Sequence, residues 1–478
     1  MSESPLIGLM IDPTLPVSLF EQVYEALRTR VTSGQFVGGD RLPPTRKLAE
    51  DLGVSRTTIV TAYDQLIAEG FAYGRAGSGV YVSDIGEIEP VTKSAQSDPA
   101  LKLPQARSKQ RAAFDPGQPD DRLFPYRAWA KCVSRVARTD PAALIRNQDA
   151  FGDHDLRVQI CRYLADWRGV RTTPSQVLIT SGAGDALQMC IRTLMRPDDL
   201  LALEDPSYPP LRAFVQSLDL SVTDLEMDRS GGLPPTSSPP SNRPKVAILT
   251  PSSQFPLGGA MPQARRMAFL NWAAQTNGWI IEDDYDSEFR YAGRAIMALT
   301  GLDTQDRSLY IGTFSKIFTD SLRLGFVVLP PALIDVFRGT LERYGARASL
   351  MPQRPLAEFI KSGEYYRHIR RVRRIYAERR VAFVDALKSH FGDLVTFEDH
   401  RAGMHIAVIL PKTYKDTEIV AQAEQQGLGC RALSTYYASE PKQNGLLMGF
   451  CSHTNEELVA AMGHLRKIVT SINKSPTL

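Results

Sequence analysis

Gly312-Thr313-Phe314-Ser315-Lys316-Ile317-Phe318, followed by Leu322-Arg323-Leu324-Gly325-Phe326, sets one lysine and one arginine among small and apolar residues just after the strand-like run Leu309-Tyr310-Ile311. A lysine in such surroundings loses hydration, which lowers its ammonium pKa, as an amine must if it is to condense with an aldehyde. Lys316 is therefore a candidate Schiff-base lysine. Arg323 offers a fork of donors suited to a phosphate, with the Thr313 and Ser315 hydroxyls beside it. Taken alone, an S-K dipeptide at a strand end is more often an ordinary surface lysine, so partners elsewhere in the chain must decide.

Upstream, Trp279-Ile280-Ile281 reads as a short buried strand running into Glu282-Asp283-Asp284-Tyr285-Asp286. In a parallel sheet, ligands lie beyond the carboxyl ends of the strands, so two strand ends joined by one crossover face one ligand. An aspartate there holds a pyridinium nitrogen protonated and keeps the ring an electron sink, while Tyr285 donates to a ring phenolate. An acidic, solvated loop or a metal site accounts for the acid run equally well. Further back, the strand Val177-Leu178-Ile179-Thr180 ends in Ser181-Gly182-Ala183-Gly184 before a helix-like run, a turn whose backbone N–H groups suit an anion. It is neither a Walker loop nor a dinucleotide fingerprint, and such turns often serve packing alone. Tyr208, in the Pro-flanked segment Glu204-Asp205-Pro206-Ser207-Tyr208-Pro209-Pro210, has a face to stack on a flat cofactor; a core or surface tyrosine is the default.

In order along the chain, S-G-A-G-x-A-L, E-D-P-x-Y, T-P-x-x-Q-F-P-L-G (Thr250 to Gly258), E-D-D-Y-D-S-E-F and G-T-F-S-K…L-R-L-G-F resemble the pyridoxal-phosphate aminotransferase fold of type I. The set is similar, more narrowly, to the aminotransferase-like half of MocR/GabR-type transcriptional regulators of the GntR superfamily. The resemblance runs from about Phe114 to the end of the chain. It implies an α/β fold, with a large, mostly parallel-sheet domain and a small C-terminal α/β domain. It further implies pyridoxal 5'-phosphate in Schiff-base linkage to Lys316, Asp283 at the pyridine nitrogen, Tyr285 at the ring hydroxyl and Tyr208 over the ring. Ser181, Gly182, Ala183, Ser315 and Arg323 would hold the phosphate.

The 478 residues are 43% hydrophobic, enough for two or three domains with sizeable cores. The formal charge of +3 says little about partners. Five scattered cysteines (132, 161, 190, 430, 451) lack ligand spacing, so no metal site is expected and a reducing bacterial cytoplasm fits. The N-terminus has no signal-peptide pattern and no apolar run reaches membrane-spanning length.

Residues 14–84 read as a separate unit. Phe20, Val23, Tyr24, Leu27 and Val31 share one helical face, ending at Ser33-Gly34. A second short helix follows with Thr45 as its N-cap, broken by Gly53. Ser55 caps a third, Arg56 to Glu69, with Ile59, Tyr63, Leu66 and Ile67 on its buried face. Phe71-Ala72-Tyr73 and Val80-Tyr81-Val82 then form a hairpin. Three helices and a two-stranded wing make a winged helix-turn-helix. The pattern L-P-[ST]-x-R-x-L-A-x-x-L-G-V-S-R-x-T-V, with Ile59 for the usual valine, resembles the GntR-type DNA-binding domain. That resemblance gives Arg46 a phosphate or groove contact, places Arg56, Thr57 and Thr58 at the N-terminus of the recognition helix, and puts Arg75 with Gly77 at the wing tip. Arginine at that position binds guanine bidentately. Residues 1–84 nevertheless hold seven Lys/Arg (28, 30, 41, 46, 47, 56, 75) against ten Asp/Glu, so a generic basic-patch argument fails. Modest monomer affinity is expected, with useful binding needing two linked copies.

Residues 85–113 lose apolar periodicity and read as a linker, able to span roughly 100 Å if fully extended. Family resemblance implies a head-to-tail homodimer. The large domain, 114–478, departs from the family at Asn147, where relatives carry a tyrosine that reaches the neighbouring subunit's cofactor phosphate, and at Ser253, often histidine. His154 reads as a loop residue. Residues 231–244 read as a Pro/Ser-rich surface loop. Arg367, Arg370, Arg371, Arg373, Arg374, Arg379 and Arg380 crowd one stretch; the apolar residues between them, among them Ile375 and Val381, favour a structural helix over a DNA-contacting stripe. Arg431 lies near where this fold binds a substrate carboxylate, against the ordinary reading of a salt-bridged surface arginine.

Two functions emerge. In one, an amino compound displaces Lys316 from the cofactor and alters the operator binding of a homodimer, controlling genes for uptake, catabolism or synthesis of an amine or amino acid (taurine, GABA-like) or of the vitamer itself. In the other, the chain is a working aminotransferase with an accessory DNA-binding domain. The complete helix-turn-helix motif favours the first.

Overall fold

The computed structural model describes residues 11–15, 17–84, 86, 111–146, 149–228, 230–235, 243–345, 347–440 and 442–473. The chain divides into two compact units, Met1–Arg107 and Ser108–Leu478.

In the first unit α1 (Leu19–Thr32), α2 (Thr45–Leu52) and α3 (Arg56–Ala68) precede the antiparallel strands β1 (Ala72–Arg75) and β2 (Gly79–Val82). Helix α1 starts with a full capping box, Ser18 and Glu21 satisfying each other's backbone N–H. The expected cap of α2 is corrected: Pro44 is the N-cap and Thr45 the first helical residue. A proline fixes φ near the helix entry without a side-chain cap. Gly53 ends α2 in the left-handed region and Ser55 accepts from the Thr58 N–H to start α3. Helix α3 ends at Ala68 with Glu69 as its C-cap. Its buried face is Ile59, Ala62, Tyr63 and Leu66, while Ile67 is exposed. At 3.6 residues per turn Ala62 lies on the stripe that Ile67 leaves, and a small residue there lets α1 approach.

In the second unit one sheet of seven strands has the order β3 (Val177–Thr180), β11 (Gly325–Val328), β10 (Ser308–Thr313), β9 (Trp279–Asp284), β8 (Val246–Leu249), β4 (Leu200–Glu204), β5 (Ser221–Leu225). Every pairing except those of β11 is parallel. The inner strands are largely apolar on both faces, as helix-covered parallel strands must be, while the edge strand β5 exposes Ser221 and Asp224. Because β11 runs against its neighbours, its first residue, Gly325, pairs with Thr313 and Thr180, the last residues of β10 and β3. A Cβ at Gly325 would come within 2.8 Å of the Gly182 backbone, so only glycine permits this closeness. The turns bearing Lys316, Arg323 and Ser181 thereby reach one edge of the sheet.

Met227–Asp228 (β6) and Gly231–Gly232 (β7) form a small ribbon, so the expected loop at 231–244 begins as paired strand; residues 236–242 lie outside the described residues. A second sheet, order β12 (Thr396–Phe397), β13 (His405–Ile409), β15 (Gly445–Gly449), β14 (Arg431–Ala432), is wholly antiparallel. The helix Glu364–Phe391 runs beneath both parts of this unit, burying Ile369, Val372, Tyr376 and Phe383, while Ile375 is part-buried and Val381 is exposed. Arg379 and Arg380 are buried on it and paired with Asp120 and Asp399. His154 is the first residue of the helix His154–Arg168, capped by Asp153, rather than a loop residue. Arg111 and Ala113 pack with this unit, Arg111 pairing with Asp121 and Asp320. No helix among the described residues is long and apolar enough to cross a membrane.

Candidate cofactor and ligand site

A cavity of about 520 Å³ opens at the sheet edge where β3, β4, β9 and β10 end. Lys316, three residues past β10, extends into it and donates from Nζ to the Gly117 carbonyl, 2.9 Å away. Burial lowers the pKa of its ammonium, opposed by the charges of Asp286, Asp320, Asp115 and Asp283. An amine whose ammonium form is disfavoured by desolvation gives up its proton more readily, and the free amine is the nucleophile.

Asp283 pairs across from Ile311 on the neighbouring strand, so the 33 residues between it and Lys316 are one crossover. Its Oδ1 is buried without a hydrogen-bond partner. Burial raises this carboxyl to about 7, with Asp284 adding to the rise and Lys316 opposing it. A buried carboxylate oxygen with nothing to accept from is costly. A cationic N–H donor aimed at it removes that cost.

Ser181, Gly182 and Ala183 form the turn after β3. Ala183 opens the twelve-residue helix Ala183–Leu194, with Gly182 as an N-cap that supplies no side-chain bond. The Ser181 N–H is already taken, donating 2.8 Å to Asp185, so the amides of Gly182 and Ala183 are what the turn offers an anion. Ser315 lines the same cavity. Arg323 caps a short 3-10 turn at φ 50°, is exposed, and has no ion pair among the described residues. A non-glycine residue held left-handed with a free guanidinium at a cavity mouth is consistent with anion capture.

Tyr208 is 45% exposed and packs edge-on against Phe255, 5.9 Å between centroids. The Tyr285 hydroxyl donates to the Ser253 carbonyl at 3.1 Å and lies 3.4 Å from its Oγ. The family departure at Ser253 thus touches the ring that would meet the cofactor's hydroxyl. Asn147, the other departure, lies outside the described residues. Arg431 lines the cavity and is salt-bridged, to Glu424 at 2.9 Å and Asp115 at 3.2 Å.

Several wall residues escaped the sequence reading. Glu204 is buried with Oε1 unpaired, Oε2 accepting from the Thr250 N–H and hydroxyl, and burial lifts it to about 7. His405, on the second sheet, stacks on Tyr285 at 6.4 Å, and burial followed by the Lys316 charge takes it down to about 4. Gly117 and Tyr436 come from still other segments. Only a strand-end rule applied to β4 would have flagged Glu204.

In the first unit Arg46 and Arg56 are exposed, on α2 and at the head of α3, and Arg56 Nε donates to Thr45 Oγ1 at 3.3 Å. Thr57 is exposed, and Thr58 shares a 2.8 Å hydrogen bond with Ser55. Arg75 lies over the stacked rings of Tyr73 and Tyr81, 5.4 and 4.9 Å from their centroids, and Gly77 turns the wing at φ +71°. These residues share helix starts and a loop tip, the elements that reach grooves and phosphates. Among the described residues no group of His, Cys, Asp and Glu could hold a metal ion.

Residues 19–82 match the model for bacterial regulatory proteins of the gntR family, and residues 117–465 match that for aminotransferase class I and II. The chain is 34% identical, over 98% of its length and 97% of theirs, to the probable rhizopine catabolism regulatory protein MocR of Rhizobium meliloti. It is 33% identical to the pyridoxine biosynthesis transcriptional regulator PdxR of Corynebacterium glutamicum, over 95% of this chain and 96% of that one. The second unit superposes on Pyrococcus horikoshii kynurenine aminotransferase with a TM-score of 0.70 and 22% identity, covering 77% of this chain and 93% of that one. That likeness concerns fold.

Proposed function

We propose, from the premise that this chain belongs to the MocR-type regulators that join a gntR-family DNA-binding domain to an aminotransferase class I and II domain, that it senses an amino compound through its cofactor site and regulates transcription accordingly. Its cofactor is pyridoxal phosphate.

The residues suit that group. Asp283 offers its unpaired Oδ1 to a protonated ring nitrogen, Lys316 offers an amine of lowered pKa to the aldehyde, and Arg323 with the Gly182 and Ala183 amides offers donors to the phosphate. Bound pyridoxal phosphate supplies an aldehyde carbon that takes up primary amines, joined to an electron-withdrawing ring. Tyr208 and Tyr285 both line the cavity, Tyr285 held by the Ser253 carbonyl, and would present their rings to the cofactor. Beside the Gly117 carbonyl, the Lys316 amine would be placed to give up or take a proton at Nζ. An effector amine shifts operator affinity only by binding two conformations of the protein unequally. The acting species in this proposal is a head-to-tail homodimer whose two winged helices take up Arg46, Arg56, Thr57, Thr58, Arg75 and Gly77 contacts on duplex operator. Regulated genes would concern an amine, amino acid or the vitamer, as the names of the MocR and PdxR relatives concern rhizopine and pyridoxine.

One observation carries the reading: a buried amine of lowered pKa and an orphaned carboxylate oxygen share one cavity in a chain whose other unit is a winged helix. The test pairs absorbance of the loaded protein, titrated with a panel of primary amines, with DNA mobility shift under the same titration. Lys316→Ala should abolish the amine response and keep basal DNA binding; Arg56→Ala should do the reverse. Sustained transamination of an amino donor and a keto acid at about 1 s⁻¹ or faster would favour a working enzyme instead.

A further inference from the structure

Six of the seven arginines of the helix Glu364–Phe391 fall into two kinds, Arg373 being half-buried between them. Arg379 and Arg380 are buried and paired with Asp120 and Asp399. Arg367, Arg370, Arg371 and Arg374 are exposed, and their spacings of three and four residues set them side by side on the helix. Only Arg367 is neutralised, by Glu364 at 2.6 Å; among the described residues Arg370, Arg371 and Arg374 have no ion pair, and exposed Glu378, one turn beyond Arg374, makes none with it. Like charges at these spacings weaken a helix on their own account. The opposite face, with Ile369, Val372 and Tyr376, already does the packing, so the stripe contributes nothing there.

A second observation bears on what the stripe meets. Residues 1–84, which contain the winged helix, carry seven Lys/Arg against ten Asp/Glu. Sequence-independent affinity for duplex DNA comes from cations on phosphates, and this unit is poor in them. The stripe is made of guanidinium groups, which bind phosphate oxygens with paired donors and are weakly hydrated. From Arg370 to Arg374 it covers roughly 6 Å of helix axis, the length over which one strand presents about two phosphates.

We infer that Arg370, Arg371 and Arg374 form a second contact surface for the phosphate backbone of double-stranded DNA, outside the winged helix. The inference rests on the DNA-binding reading above. The contact carries no base specificity. It adds salt-sensitive affinity and lengthens the DNA that the protein occupies.

The test is fluorescence anisotropy of the full chain, loaded with pyridoxal phosphate, on a labelled mixed-sequence duplex of about 60 base pairs over a salt series. For Arg370→Gln/Arg371→Gln/Arg374→Gln the slope of log K against log salt should become shallower by about 2 to 3, with affinity at low salt about tenfold weaker or more. The Arg→Lys triple variant should keep most of the slope, a rescue that a packing role would not predict. An unchanged slope overturns the inference, including the case where the glutamine variant loses transcription while its DNA binding stays intact, which would assign the stripe to an acidic protein partner. A glutamine variant altered in oligomeric state by light scattering also overturns it, by assigning the stripe to an interface between copies. Failure of the wild-type chain to bind any duplex would instead remove the DNA-binding reading itself.

Discussion

Lys316 Nζ donates a hydrogen bond to the carbonyl oxygen of Gly117, a residue 199 positions earlier in the chain. Gly117 has φ +69°, and a Cβ built on it would lie 3.1 Å from that same Nζ. Two segments with no local relation therefore define where the amine can stand. Gly117→Ala should force a left-handed alanine, costing the second unit ~1–2 kcal/mol of stability, and a displaced ammonium, which weakens retention of pyridoxal phosphate. Absorbance after exhaustive dialysis reads this, while thermal unfolding of the winged-helix unit should not move.

Glu204 and Asp283 give the cofactor-free protein a defined pH dependence. Burial lifts both to about 7, above the values near 4 that such carboxyls have in an unfolded chain. Between those limits the native state holds the more protons, so stability falls as pH rises from about 4 to about 7 and is flat above. His405, taken down to about 4 from the ordinary value of about 6.5, works the other way over most of that range, since its native form sheds its proton at lower pH than the unfolded chain does. Glu204→Gln isolates one contribution on this shared background. It should make the stability of the apo protein less steeply falling by up to about 1.4 kcal/mol per pH unit, measured by denaturant titration at several pH values.

Arg323 is kept left-handed at φ 50°, where glycine would cost less backbone strain. Arg323→Gly and Arg323→Ala should both lose cofactor affinity by about tenfold or more, the order expected for a charge-assisted phosphate contact of ~1.5–3 kcal/mol. The glycine variant should melt no lower than the alanine variant. Equilibrium dialysis and calorimetry together separate the two effects.

Arg379 reaches Asp120 at 2.7 Å inside the second unit, and Asp120 also holds Arg122 at 2.8 Å. Arg379→Met should destabilise this unit by about 3 kcal/mol, toward the low end for a broken buried pair because Arg122 remains. Arg370→Met, on the exposed face of the same helix, should change stability by no more than ~0.5 kcal/mol. Chemical denaturation of the two variants side by side checks the difference.

What could be read from the residues alone followed strand ends. Lys316, Asp283, Tyr285 and Ser181 each stand just beyond or at the end of an apolar run, and in a parallel sheet that position faces the ligand. Helix faces were legible where large apolar residues marked them, as at Val23, Leu27 and Val31. They were misread where a small residue took the buried place: Ala62 packs where Ile67 was expected, and Pro44 rather than Thr45 precedes α2. Gly117, His405 and Tyr436 were illegible for another reason. Each belongs to a segment whose own pattern is unremarked, and only long-range closure of the chain brings it to Lys316. The Asp120–Arg379 pair, 259 residues apart, is invisible in the same way.

The account stands on the side chain at position 316 bonding to the vitamer. Reduction of the purified, pyridoxal-phosphate-loaded protein with borohydride, followed by peptide mass spectrometry, measures that directly. A phosphopyridoxyl mass on the peptide containing Lys316, lost in Lys316→Ala, is the predicted result. An unmodified Lys316 peptide, or the same mass on a different lysine, would contradict it.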